Sequence, residues 1–154
     1  MTEADSLSAA RDLAESVFRE RAACIDREEA YPWDNVAALS DAGLMGMTIP
    51  EAYGGRGRPI EEAVACVAEV ARVCGVTGRI VVEANMGAIG AVMAYGTEVQ
   101  KRRVAPHVLA GDKPAICITE PEAGSAATEM QTTATRHGNS WVLNGMKHWI
   151  TGGG

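Results

Sequence analysis

Ile118-Thr119-Glu120-Pro121-Glu122-Ala123-Gly124-Ser125 is the stretch on which the reading of this 154-residue chain turns. Before it, apolar residues recur at three- and four-residue steps; after it, they alternate or gather in short β-prone runs. Within it, a strand end meets a rigid proline turn and then a corner of small residues. There, backbone amides and two hydroxyls can face a polar ligand without side-chain obstruction. The same residues also suit a tight turn carrying a solvated serine.

Upstream, Leu7, Ala10, Ala14, Val17, Phe18 and Ile25 lie at helical steps over residues 4 to 30, which predicts one long amphipathic helix broken by Pro32. A short helix over 34–41 ends at Gly43, which suits a left-handed cap. The prolines and glycines of residues 43–57 leave no room for a regular element, so a long ordered loop is expected. Ile60 to Val73 reads as a third helix with Ile60, Val64, Val67, Val70 and Ala71 turned inward and Gly75 ending it. Thr77 to Tyr95, apolar on nearly every side, reads as one core helix. Its apolar run from Ile80 to Tyr95 is interrupted by Glu83 and Asn85 and is shorter than the ~20 residues of a membrane span. Thr97 and Gln100 form a capping-box pattern ahead of a fifth helix that runs to Leu109, with Pro106 as a kink.

Downstream, Ala115 to Thr119 is β-prone, Thr132 to Arg136 alternates, and Trp141-Val142-Leu143 follows a Gly138-Asn139 turn. The expected class is therefore α+β, with an all-helical domain over 1–112 and the opening strands of an incomplete antiparallel β-domain over 113–154. So little sheet implies a fragment cut in mid-domain.

Composition narrows the function. Alanine (26) and glycine (17) exceed a quarter of the chain, a bias that suits closely packed helices or a tight ligand crevice. Fourteen basic against twenty acidic residues give a net charge of −6, which argues against nucleic acid and against an anionic membrane surface as partners. The acidic start, Met1-Thr2-Glu3-Ala4-Asp5, has no targeting signature, so a cytoplasmic protein is expected. Cys24, Cys66, Cys74 and Cys117 form no CxxC pair and have no histidine at ligand spacing, so they read as reduced and structural, with no metal site.

Asn144-Gly145-Met146-Lys147-His148-Trp149-Ile150-Thr151 is the second segment with chemistry. On a strand, Trp149 and Thr151 share a face, so an indole can lie against a planar ring while a hydroxyl reaches its edge. A strand tryptophan is equally an ordinary core residue. Lys147, His148, His107 and His137 read as structural or surface side chains. Arg79 and Glu83 stand one turn apart in apolar surroundings, where charges are rare unless paired. Either they pair with each other, or Arg79 offers its planar fork to the anionic tail of a substrate.

Helices, a strand and these two segments in this order resemble the acyl-CoA dehydrogenase superfamily. Residues 43–57 look like its PEEYGG segment, and Tyr95 to Lys101 looks like its GT-x-x-QK helix start. The resemblance implies FAD as cofactor and an acyl-CoA thioester as substrate. It carries over a flavin-pyrimidine contact to Ile118 and Thr119, and a pyrophosphate bond to Ser125, which also stands as a substrate contact. Trp149 then covers the ring and Thr151 bonds near flavin N5. One departure is Ala126, where the family motif continues with aspartate. The family's carboxylate base comes from a C-terminal helical domain, so no catalytic residue is expected here. That domain also builds the family's homotetramers or homodimers. Residues 76–87 further resemble the branch of glutaryl-CoA dehydrogenases and 3-sulfinopropanoyl-CoA desulfinases, and there Arg79 would meet an acidic acyl tail. The expected reaction is α-proton removal with β-hydride transfer to flavin on a short acyl-CoA. The alternatives are desulfination on the same fold and, from another class, a non-catalytic helical interaction module.

Overall fold

Helical periodicity at the start of the chain becomes α1 (Glu3–Leu13), a π-helical turn (Ala14–Phe18) and α2 (Arg19–Glu28) in the computed structural model, which describes residues 3–152. The expected single helix is thus interrupted by a wider turn, the usual form of a bulge within an α-helix. Ala14 and Phe18, which bound that turn, are both fully buried. No residue of α2 is buried, and its end is a left-handed Glu29 at φ 52°. Contacts divide the chain into two compact units, one ending at Pro114 and the other beginning at Ala115.

In the first unit, α3 (Trp33–Asp41) buries Asn35, Val36 and Leu39. The glycine- and proline-rich loop after it is an inner layer rather than a surface excursion, because Leu44, Met45, Met47 and Ile49 are at most 1% exposed. Its backbone closes on itself: Gly57 N–H donates to Ile49 O (2.8 Å) and Arg58 N–H to Met47 O (2.9 Å). Asn85 ties the loop to the helices, donating to Leu44 O (2.8 Å) and Val81 O (2.9 Å) and accepting from Thr48 N–H (3.3 Å). Most buried polar groups are partnered, and Asn35 is a second case: it accepts from Arg21 Nη1 (3.0 Å) and donates to Thr77 Oγ1 (2.9 Å).

Three helical expectations are corrected. α4 (Ile60–Ala71) buries Ala63, Cys66 and Val70, whereas Ile60 and Val64 are about half exposed (54% and 52%). Glu62 is buried there too and Ala71, also expected inward, is exposed; α4 and its successor nonetheless approach closely, since a Cβ at Gly78 would lie 2.6 Å from the Ala71 Cβ. Gly75 opens the next helix instead of ending the last one. The single core helix over 77–95 is in fact two, α5 (Gly75–Asn85) and α6 (Gly87–Tyr95). They are separated by extended Met86 and by Gly87 at φ 48°, a conformation glycine adopts without steric cost. α5 is largely buried, but of α6 only Ile89 is. α7 (Glu98–Leu109) begins with the expected capping box, Thr97 and Gln100 each bonding the other's backbone N–H, and continues through Pro106.

The second unit contains an antiparallel hairpin, β1 (Thr133–His137) with β2 (Ser140–Asn144), closed by Gly138-Asn139 in the register His137↔Ser140. The run Ala115 to Thr119 is not a strand; in place of a ladder, Glu120 and Ala123 exchange backbone bonds (3.0 and 3.2 Å) around Pro121. Nor is Trp149-Ile150-Thr151 a strand, because Trp149 is left-handed at φ 57°. All four cysteines are free. Burial pushes the Cys66 thiol up to about 11; Cys74 is also buried, and Cys117 is exposed.

Candidate functional site

The two sequence segments singled out for chemistry lie side by side in the second unit. His148 N–H donates to Thr119 O at 2.9 Å, and Lys147 Nζ donates to Ile118 O at 2.9 Å. Trp149 is therefore one residue from the position opposite Thr119. Its left-handed backbone costs on the order of 1–2 kcal/mol for a non-glycine residue, and it breaks the strand alternation that would have put Trp149 and Thr151 on one face. The indole is 88% exposed, in edge contact with the His148 ring at 6.1 Å.

Glu120 is what joins these segments, and sequence reasoning missed it. Its carboxylate, on a residue only 8% exposed, accepts from Lys147 Nζ (2.8 Å), Gln131 N–H (2.6 Å) and Thr132 N–H (2.9 Å). Lys147, with the two backbone donors, holds the Glu120 carboxyl down to about 2. Three chain segments thus converge on one anion, and charge-assisted bonds of this kind are the strong ones. Its partners lie 11, 12 and 27 residues away, and no periodic pattern reveals such spacing.

What the fold leaves unspent defines the ligand chemistry. Among the described residues, the hydroxyls of Thr119, Ser125 and Thr151 and the N–H groups of Ile118 and Thr119 have no protein partner. The carbonyls of Ile118 and Thr119 accept from Lys147 and His148, so the free backbone groups here are N–H donors, and the hydroxyls can donate or accept. Ser125 is exposed just beyond the proline turn, and a Cβ at Gly124 would meet nothing within 4 Å, which leaves that corner open. A planar, carbonyl-bearing heterocycle with a phosphate tail fits this set: donors for its edge, an exposed indole for its face, a hydroxyl corner for its anion.

Arg79 belongs to α5 of the helical unit. It is ion-paired with Glu83 one turn on; the Glu83 side chain is 4% exposed and that of Arg79 is 55%. The pairing weighed from the sequence is present, and it leaves the outer part of the guanidinium in solvent.

The acyl-CoA dehydrogenase N-terminal domain matches residues 2–112, and the middle domain of the same family matches residues 115–154. A 3-sulfinopropanoyl-CoA desulfinase of Cupriavidus necator is 60% identical over 145 residues, covering 94% of this chain and 37% of the relative. Three further proteins of that name are 56–57% identical. The short-chain-specific acyl-CoA dehydrogenase of Clostridium acetobutylicum is 35% identical over 94% of this chain and 38% of its own. Among solved structures, butyryl-CoA dehydrogenase from Megasphaera elsdenii superposes with a TM-score of 0.89 at 27% identity, over 99% of this chain and 42% of that one. The chain thus spans well under half the length of the proteins it matches.

Proposed function

Because this chain belongs to the acyl-CoA dehydrogenase family, we propose that it supplies the helical domain and the flavin-edge segment of a FAD-dependent enzyme acting on a short acyl-CoA thioester with an acidic acyl tail. The favoured reaction is desulfination of a 3-sulfinopropanoyl-type thioester, and what carries it is the much higher identity to relatives of that name than to the named dehydrogenase. The second reading is α,β-dehydrogenation of an acyl-CoA with a carboxylate tail. A stand-alone helical interaction module is set aside by membership of this enzyme family.

In either reaction the donors at Ile118 and Thr119 meet the flavin's pyrimidine edge, Ser125 its pyrophosphate and the bound thioester, Trp149 the ring face, and Thr151 the neighbourhood of N5. When bound, FAD supplies the electron sink. The chain's own residues orient the reacting groups and keep water out. Arg79, tethered through Glu83, presents free N–H groups to a sulfinate or carboxylate. No carboxylate here is proposed as a catalytic base, since Glu83 is committed to Arg79 and Glu120 to Lys147 and two amides. The whole enzyme is proposed to be a homo-oligomer, as its relatives' fold class implies.

The two reactions differ in their electron balance. Desulfination exchanges a C–S bond for a C–H bond, with water's oxygen leaving in sulfite, and needs no external acceptor; dehydrogenation delivers two electrons that an acceptor must take. The full-length, FAD-loaded protein is expected to release sulfite from 3-sulfinopropanoyl-CoA without an added acceptor. Acceptor reduction without sulfite would move the assignment to the second reading, and neither activity in a flavin-loaded preparation would sink both. Arg79→Ala should raise the KM by roughly tenfold or more, the loss of a charged hydrogen bond, while FAD content stays unchanged.

A further inference from the structure

Lys147 is mostly buried, its side chain 19% exposed, and its ammonium makes two short bonds at once, to Ile118 O and to the Glu120 carboxylate. A trans peptide plane sets its C=O and the following N–H on opposite edges. Capture of Ile118 O by Lys147 therefore turns Thr119 N–H to the other edge, and this N–H is one that no described residue accepts from. The next plane repeats the pattern: Thr119 O is taken by His148 N–H, and Glu120 N–H turns away to Ala123 O. The first plane has no ladder to hold it, because residues 115–119 are not in a strand. Its orientation rests on the lysine, and the lysine is held in place by Glu120, which is itself anchored on Gln131 and Thr132.

We propose that Lys147 is a positioning residue of the cofactor site, aiming the Thr119 amide N–H at a flavin carbonyl through its grip on Ile118 O and Glu120. The inference rests on the FAD reading above. Arginine at this position keeps the charge and can reach both acceptors; methionine keeps the length and the apolar stem but loses every donor. The expected order of function is lysine, then arginine, then methionine.

The test uses the full-length apoprotein titrated with FAD, with the infrared carbonyl stretch of the bound flavin as a second readout. Lys147→Met is expected to weaken FAD binding about tenfold, the net effect of one lost hydrogen bond, and to move one flavin carbonyl band toward its position in free FAD. Lys147→Arg is expected to bind within about threefold of the native protein with the band unmoved, less than half of one such bond. Equal binding and an unmoved band in Lys147→Met overturn the proposal while leaving the FAD reading intact. If Lys147→Met does not fold, Lys147→Arg decides: near-native binding and band position support the proposal, and loss of either overturns it. Native protein that takes up no FAD removes the cofactor reading and this inference together.

Discussion

The two units of this chain are held together by different physics. In the helical unit, Phe18, Leu39, Leu44, Met45, Met47 and Ile49 are at most 1% exposed, and Asn35 and Asn85 are hydrogen-bonded among such apolar packing. Among the described residues of the second unit the one buried apolar residue is Ala123, while Trp141, Leu143, Met146 and Trp149 are each more than 60% exposed. Order there comes from a hairpin and from a polar knot around Glu120. A core formed by hydrophobic burial is redundant and tolerates single polar losses; a segment fixed by one anion and its donors depends on each of them.

That contrast can be attacked from both sides. The largest effect is expected from Phe18→Ala, a fully buried aromatic at the π-turn, which should lower the stability of the helical unit by about 4 kcal/mol in denaturant unfolding followed by helical circular dichroism. A loss below 1 kcal/mol would mean that the turn does not anchor the core. Asn85→Ala should cost about 2 kcal/mol, because Leu44 O and Thr48 N–H lose a buried partner, and amide exchange over residues 44–49 should accelerate with it. Unchanged exchange there would detach the inner loop from α5.

Acid should act mainly on the second unit. The Glu120 carboxyl titrates near 2 in the folded chain against an ordinary 4.5, so its stabilisation is complete above pH 4.5 and fades as pH falls from there toward 2. The amides of Gln131 and Thr132 should lose exchange protection over that window before the buried helices α4 and α5 do. Loss of helical signal first would reverse the comparison. Glu15, lowered to about 2 by Arg19 and Arg72, titrates in the same window but on an exposed surface of the helical unit, where screening makes such pairs weak.

The same contrast explains what was legible in the sequence. Helix starts and ends came through where a cap or a proline marks them, as at Pro32 and at Thr97 with Gln100, and the hairpin came through in its two-residue turn. The break between α5 and α6 did not, because an unbroken apolar run says nothing of the positive φ at Gly87. The inner face of α4 was read in part: Val70 is buried as expected, whereas Ile60, Val64 and Ala71 are exposed and Ala63 and Cys66 are buried in their place. For the proposed site, Ile118, Thr119, Ser125, Trp149 and Thr151 were named from motif and resemblance. Their supporting residue could not be, since Glu120 reaches partners too far along the chain for any local pattern, and Lys147 read only as a structural or surface side chain.

The most direct measurement is tryptophan fluorescence of the full-length protein during FAD titration, compared between the native chain and Trp149→Phe. If the Ile118–Ser125 and Lys147–Thr151 segments hold the flavin between them, an exposed indole at 149 lies against the ring, and FAD binding quenches an emission component that the Trp149→Phe protein lacks. Saturable FAD binding with the same fluorescence change in both proteins would contradict it.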